Sequence, residues 1–419
     1  MRSRLAQTFR FALVAVVVLG LAFLSAHQLR GSKTLKLSLR AQALPERVVR
    51  WVHVAAAAKD VDVAVTASRV LVRSSTNQWR PVFAVDSSLV ALEASPRGHF
   101  FGVLSYTRRP KPGAPGELTL HLRDASGAIL GSWNLPWDYD RPVPALALAR
   151  GASAVAVGWA DVGIVWVFSP GKSEPARVDL YADDTYDYER CLCFAYDDSL
   201  NQFIVLATRH GINPTASSQA ERSVGARLFW INPSGQMLKS LALETEGVTT
   251  LRFDRSSRIL VVGGTDFPAP DRPLPYAEVR SADGRLVTRV EQVTPENFAI
   301  TPDRRLSVLA DPSGAVAVDL LQKLELWRHT PATDNRSILD AVVVDKPACV
   351  ALLSATVAFR ENTFLYIEPK VSLVNRRGKQ IGVTAFPDTL LAEARLAPDP
   401  RGGLRVLTQD RIWTVSLAQ

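Results

Sequence analysis

The feature that most constrains this chain is a repeat. A short apolar strand, a tight polar turn and a second apolar strand recur along its whole length. The copies read RWVHVAAAAKDVDVAVTA, LVALEASPRGHFFGVLS, PALALARGASAVAVGWA, LCFAYDDSLNQFIVLAT, TLRFDRSSRILVVGG, NFAITPDRRLSVLAD, DAVVVDKPACVALLS and EARLAPDPRGGLRVLTQ. Self-similarity at a spacing of several tens of residues belongs to repeat architectures, in which a unit buries its apolar faces only against its neighbours. Most units continue into a third strand and a hairpin that leads to a fourth, as in ELTLHLRDASGAILGSWNL, ARLFWINPSGQMLKSLAL, YAEVRSADGRLVTRVEQ and KVSLVNRRGKQIGVTAF. Gly127, Gly235, Gly284 and Gly378 fall at those later turns, where tight hairpins need a positive φ. Four antiparallel strands per unit, with turns at fixed places, describe the blade of an all-β propeller.

The first-hairpin turns fall near Lys59, Arg97, Gly151, Asp198, Arg255, Asp303, Lys346 and Pro400, at intervals of 38 to 57 residues. That is the size of a four-stranded blade. The count is eight, or seven if the weak unit 47–85 is not a blade. The last unit, 391–417, has only three strands. The segment 33–42 supplies a candidate for the fourth, because Leu35, Leu37, Leu39 and Ala41 alternate with Lys36, Ser38 and Arg40, the period of a half-buried strand. Joining first and last strands in one blade would close the ring and remove its open sheet edges. The expected propeller therefore spans 33–419.

The turns SPRG, TPDRR and APDPRG, each followed by an apolar strand, resemble the Ser-Pro-Asp-Gly turns of WD-repeat-like and YVTN-type bacterial propellers. The resemblance covers nearly all of 45–419 and implies a fold alone. The Gly-His and Trp-Asp pairing of true WD repeats is absent, and the single Trp-Asp dipeptide, Trp137–Asp138, is expected to lie in a loop. A repeated tryptophan docking motif, as in eight-bladed quinoproteins, is also missing, since the nine tryptophans do not recur at one blade position.

The net charge of +8 is concentrated at one end. Residues 1–50 hold nine Lys/Arg and one acid, Glu46, which leaves 40 basic and 40 acidic residues in 51–419. A nucleic-acid-binding face needs clustered basic residues in the folded body, so no nucleic-acid partner is expected. The excess instead flanks FALVAVVVLGLAFLSA (11–26), sixteen residues without a charge, behind a basic tail at 1–10. Residues 11–28 are expected to be a transmembrane signal anchor. A removed signal peptide is the alternative, although cleavage after Ala26 would put the bulky Leu24 three residues before the cut. Arg2, Arg4 and Arg10 nearly balance Arg30, Lys33, Lys36 and Arg40 in the positive-inside count, and the short basic N-terminus places the body outside the cytoplasm. The expectation is a single-pass protein of a bacterial inner membrane with its propeller on the periplasmic side. Arg30, Lys33, Lys36 and Arg40 would lie near anionic headgroups.

Function is less constrained. The long connections all join a second strand to a third, or one blade to the next, and in a propeller those two kinds open on the same face. They are 107–117, 136–142, 181–190, 209–225, 265–275, 329–337 and 357–369. Insertions gathered on one face mark a binding face. The expected interaction surface comprises Arg108, Arg109, Trp137, Asp138, Tyr139 and Asp140, the acidic-aromatic residues Asp183, Asp184, Tyr186, Asp187 and Tyr188, and the apolar Phe359, Phe364 and Tyr366. The acidic loop lacks EF-hand spacing and reads as a solvated loop or a contact for a basic partner rather than a calcium site. Residues 357–369 read either as an aromatic-loaded connection or as a longer buried strand. Cys191 and Cys193, two apart on one strand face, and Cys349 read as small buried side chains. No hydrolase elbow, zinc helix or phosphate loop is present, and no cofactor or metal is expected. The reading is a non-enzymatic scaffold for a membrane or envelope protein. An exported propeller hydrolase, lyase or oxidoreductase with its pocket at the central channel is the alternative.

Overall fold

The computed structural model describes residues 35–52, 61–73, 78–95, 98–109, 111, 115–137, 144–159, 163–180, 189–211, 222–245, 247–269, 272–331, 335–345, 348–360, 363–387, 390–391, 394–399 and 403–418. Seven antiparallel sheets run in chain order: blade 1 (48–84), blade 2 (89–137), blade 3 (145–179), blade 4 (189–243), blade 5 (248–291), blade 6 (297–329) and blade 7 (336–385). Within each, the four strands pair as first, second, third and outer. The eighth sheet takes Arg395–Pro398, Leu404–Leu407 and Arg411–Ala418 from the C-terminus and Lys36–Ala43 from the N-terminus. The chain is an eight-bladed β-propeller, and the weak unit 47–85 is a complete blade.

The closing strand pairs without a break from Lys36 opposite Ala418 to Ala43 opposite Arg411. Its alternation is visible in burial, with Leu37 and Leu39 half-buried and Lys36, Ser38 and Arg40 exposed. Among the described residues no helix is long and apolar enough to cross a membrane. The expected anchor, 11–28, with Arg30 and Lys33, lies outside the described residues.

There is no single core. Eight apolar clusters each occupy one seam between consecutive blades. This explains why second strands such as Gln202–Gly211 read as continuous apolar runs. Phe203, Ile204, Val205, Leu206 and Ala207 are all inaccessible, because a neighbouring blade covers each side. The third-to-outer turns of blades 2, 4 and 7 share one recipe. Asp124, Asn232 and Asn375 each accept backbone N–H bonds from residues two and four further on, at 2.8–3.1 Å. The glycine that follows has a positive φ in every case, +87° at Gly127, +84° at Gly235 and +76° at Gly378, and Gly284 has +90° in the blade 5 turn. Glycine is required there twice over. A Cβ on Gly284 would lie 2.6 Å from Leu241 Cδ2, and one on Gly378 2.9 Å from Trp327 Cβ, both on the outer strand of the preceding blade.

Tryptophans staple alternate seams. The indole N–H of Trp133 (blade 2) donates to Lys172 O (blade 3) at 2.9 Å, Trp230 (blade 4) to Ala282 O (blade 5) at 3.0 Å, and Trp327 (blade 6) to Asn375 O (blade 7) at 3.0 Å. Trp51 of blade 1 donates to Thr408 O of blade 8 at 3.2 Å. The four sit on first, third and outer strands, which is why no single blade position repeats.

Two expectations are corrected. Cys191 and Cys193 do not share a face by simple alternation, because a bulge places them opposite the adjacent residues Ala207 and Leu206. Similar register shifts occur early in the first strands of blades 1, 2, 5 and 7. Residues 357–369 form neither a loop nor a buried strand. They are the projecting end of a hairpin whose strands, Ala348–Arg360 and Thr363–Asn375, are each 13 residues long.

Deleting 33–42 should lower the melting temperature of the whole propeller and broaden the transition, and unchanged calorimetric melting would refute closure by this strand. Gly171 also has a positive φ, +76°, but a Cβ there meets open space. Gly171→Ala should therefore cost about 1 kcal/mol. Gly284→Ala should cost roughly 1–3 kcal/mol more from overpacking, read as the difference in denaturant midpoint.

Candidate functional site: the hairpin face and the channel

In several blades the second and third strands stay paired well beyond the rest of the sheet. Blade 7 pairs out to Arg360 opposite Thr363, blade 5 to Ala269 opposite Arg272, blade 4 to Gly211 opposite Arg222, and blade 2 to Arg108 opposite Glu117. All project from one face, as do the connections between blades.

The two strands of the blade 7 hairpin are the longest among the described residues, and they carry large apolar side chains at their far end. A register shift between Ser354 and Thr356, with Glu368 at φ +50°, bends it where it leaves the blade. Arg336 holds that bend. Its guanidinium donates to Ser354 Oγ at 3.2 Å, Ser354 O at 3.1 Å and Glu368 O at 2.7 Å. Beyond the bend Tyr366 lies opposite Leu390 and packs, half-buried, against the cluster between blades 7 and 8. Further out Phe359 and Phe364 face each other across the strands with ring centroids 5.0 Å apart. Phe359 is 61% exposed and Phe364 52%. An aromatic pair so exposed, on a base fixed by an arginine, is an unusual use of large apolar side chains in a soluble domain.

The other expected surface residues divide. Arg108 is exposed at the end of its strand. Arg109 donates to Ser87 O at 2.7 Å and lies over the Tyr106 ring at 5.4 Å, and Tyr106 stacks on Trp137 at 5.1 Å. Trp137 is buried in the cluster between blades 2 and 3, so it supports the surface from beneath. Asp138, Tyr139, Asp140, Asp183, Asp184, Tyr186, Asp187 and Tyr188 lie outside the described residues. Among the described residues no group of three or more His, Cys, Asp or Glu is arranged to hold a metal ion.

The channel holds a group that the sequence reading passed over. Glu93, on the first strand of blade 2, is pushed up to about 7 by desolvation, offset in part by Arg255 and Arg50. Arg50 belongs to the first strand of blade 1 and Arg255 to the first turn of blade 5. Residues from blades 1, 2 and 5 influence one another because the first strands converge on the axis. One Arg50 guanidinium nitrogen, Nη2, is buried without a hydrogen-bond partner. A second carboxylate on a first strand, Asp340, is pushed up to about 6 by burial, while its oxygens accept Leu396 N at 2.7 Å and Ala341 N at 2.8 Å. Asp340 thereby ties blade 7 to blade 8. The signal for Glu93 was a lone acid inside the apolar run LVALEAS.

No family model matches this chain, and no curated protein matches it in sequence. Among solved structures it is similar to the Cps50 (Swd1) β-propeller domain of Myceliophteria thermophila, at 10% identity and a TM-score of 0.44, over 74% of this chain and 95% of that one. The propeller assignment rests on the eight sheets themselves.

A carboxyl whose folded pKa is raised to about 7 binds its proton more tightly in the folded state. The stability this contributes is full below the unfolded value, roughly 4.3, and is lost as pH rises through about 7. Glu93→Gln should therefore melt above wild type at pH 8, by on the order of 1–3 kcal/mol, and the gain should vanish near pH 4. Thermal melts across that range check it.

Proposed function

We propose that this chain is a membrane-anchored β-propeller that serves as a protein-docking subunit at a bacterial inner membrane. In this reading the propeller lies on the periplasmic side and docks an envelope or membrane protein through its hairpin face. The observation that carries the reading is the Phe359–Phe364 pair at the tip of the blade 7 hairpin, exposed yet held on an ordered base. Aromatic side chains presented this way supply large apolar contact area at small entropic cost, which is what interface anchors do. The anchor rests on the uncharged run 11–26 between basic flanks.

A second reading, chemistry in the channel, is favoured by Glu93, whose raised pKa suits an acid–base role near neutral pH. Arg50, whose Nη2 is buried without a hydrogen-bond partner, would bind an anionic group beside it. The docking reading stands ahead because the exposed aromatic pair is the more developed feature.

Phe359→Asp combined with Phe364→Asp should leave the melting temperature within about 1 kcal/mol of wild type in stability, since both side chains are exposed. The same change should abolish recovery of any protein that co-purifies with wild type in mild detergent. A partner retained by the folded double variant would sink the reading.

A further inference from the structure

The two faces of the disc differ, and the N-terminal segment joins one of them. Strand Lys36–Ala43 runs antiparallel to Arg411–Ala418, with Lys36 beside Ala418, where a third strand ends. That end belongs to the face of the short turns, opposite the hairpins. Leu35 continues along it, its N–H donating to Ile381 O of blade 7 at 2.6 Å. The chain that leads back to the apolar run 11–26 therefore reaches the propeller on the short-turn face.

That face has an apolar rim. The outer strands of blades 2, 4, 5 and 6 begin, immediately after their short turns, with Ile129 and Leu130, Met237 and Leu238, Leu286, and Leu324. All six are between 36% and 54% exposed, and Leu200 and Leu321 in neighbouring turns are exposed as well. Aliphatic side chains at one recurrent position, on the water side of outer strands, run against the polar pattern expected there. Basic residues stand beside them: Lys239 follows Leu238, Arg285 precedes Leu286, and Lys323 precedes Leu324. Lys172, Arg377 and Lys379 are exposed in the equivalent turns of blades 3 and 7. The acids of this rim include Asp283 and Glu325, which pair with Arg285 and Arg328, and Glu174.

Aliphatic side chains interleaved with lysines are the chemistry of an interfacial membrane surface. The apolar groups enter the headgroup boundary, and the ammonium groups reach anionic phosphates on flexible stems. We infer that the short-turn face rests on the bilayer, with Leu238, Leu286 and Leu324 among the headgroups, so that the hairpin face points away from the membrane. This rests on the anchor reading above and adds an orientation to it.

The test uses the full chain reconstituted in vesicles of phosphatidylethanolamine with a minority of phosphatidylglycerol, their acyl chains brominated. An environment-sensitive fluorescent amino acid is placed singly at Leu238, Leu286, Leu324 or Phe364. The expected result is a blue shift and bromine quenching at the three leucine positions and neither at Phe364. Water-like emission at the leucines, from a chain that still floats with the vesicles, overturns the orientation and leaves the anchor standing. A blue shift there without bromine quenching also overturns it, since the face is then covered by protein. Quenching at Phe364 in place of the leucines reverses the disc and overturns it likewise. A chain that does not float removes the anchor reading, and the inference with it.

Discussion

Everything in this propeller depends on the pairing of strand 36–43 with strand 411–418, because it completes the one blade built from both ends of the ring, and its Leu37 and Leu39 pack into the seam between blades 7 and 8. The seam between blades 8 and 1 has the smallest apolar cluster of the eight among the described residues: Val48, Trp51, Ala64 and Leu71 from blade 1 meet Leu407 and Ile412 from blade 8. Polar contacts compensate. Asp62 of blade 1 accepts Arg73 Nε at 3.1 Å and the guanidinium of Arg405 from blade 8, and all three side chains are buried. Arg405 also donates to Pro398 O at 3.1 Å. Taking such charges out of water is costly unless geometry and further hydrogen bonds recover the loss. Here those further bonds are supplied: two arginines share the Asp62 carboxylate, and Arg405 reaches a backbone carbonyl besides.

The architecture was legible because its physics is periodic. Continuous apolar second strands, a turn glycine at a recurrent place and a strictly alternating N-terminal strand each leave a pattern that survives without an alignment. The bulges left none, since an extra residue such as Leu192 between Cys191 and Cys193 has no compositional mark, and it reversed a simple inference about which residues share a face. The tryptophans were legible as residues but not as a device. Their task is set by the carbonyl each indole reaches on the next blade, which depends on three-dimensional distance and not on position within a repeat.

The candidate site shows the same division. Residues 357–369 stood out as apolar where polar residues belong, yet only the pairing of Phe359 with Phe364 shows that the anomaly is the tip of a hairpin. Arg336 lies 32 residues before Glu368, and nothing local announces that it braces the bend there. Trp137 and Tyr366, which looked like surface candidates by composition, instead hold the surface up from below. Glu93 depends on convergence: a single acid in an apolar strand becomes a perturbed group because the folded ring takes it out of water, and the fields of Arg50 and Arg255 offset that burial only in part.

The tryptophan staples have one further consequence. They span the seams 8–1, 2–3, 4–5 and 6–7. A ring of eight equivalent blades is thereby sorted into four couples, each with an indole committed to its mate. Cutting the ring between couples leaves all four indoles bonded, whereas cutting within one strands a buried N–H.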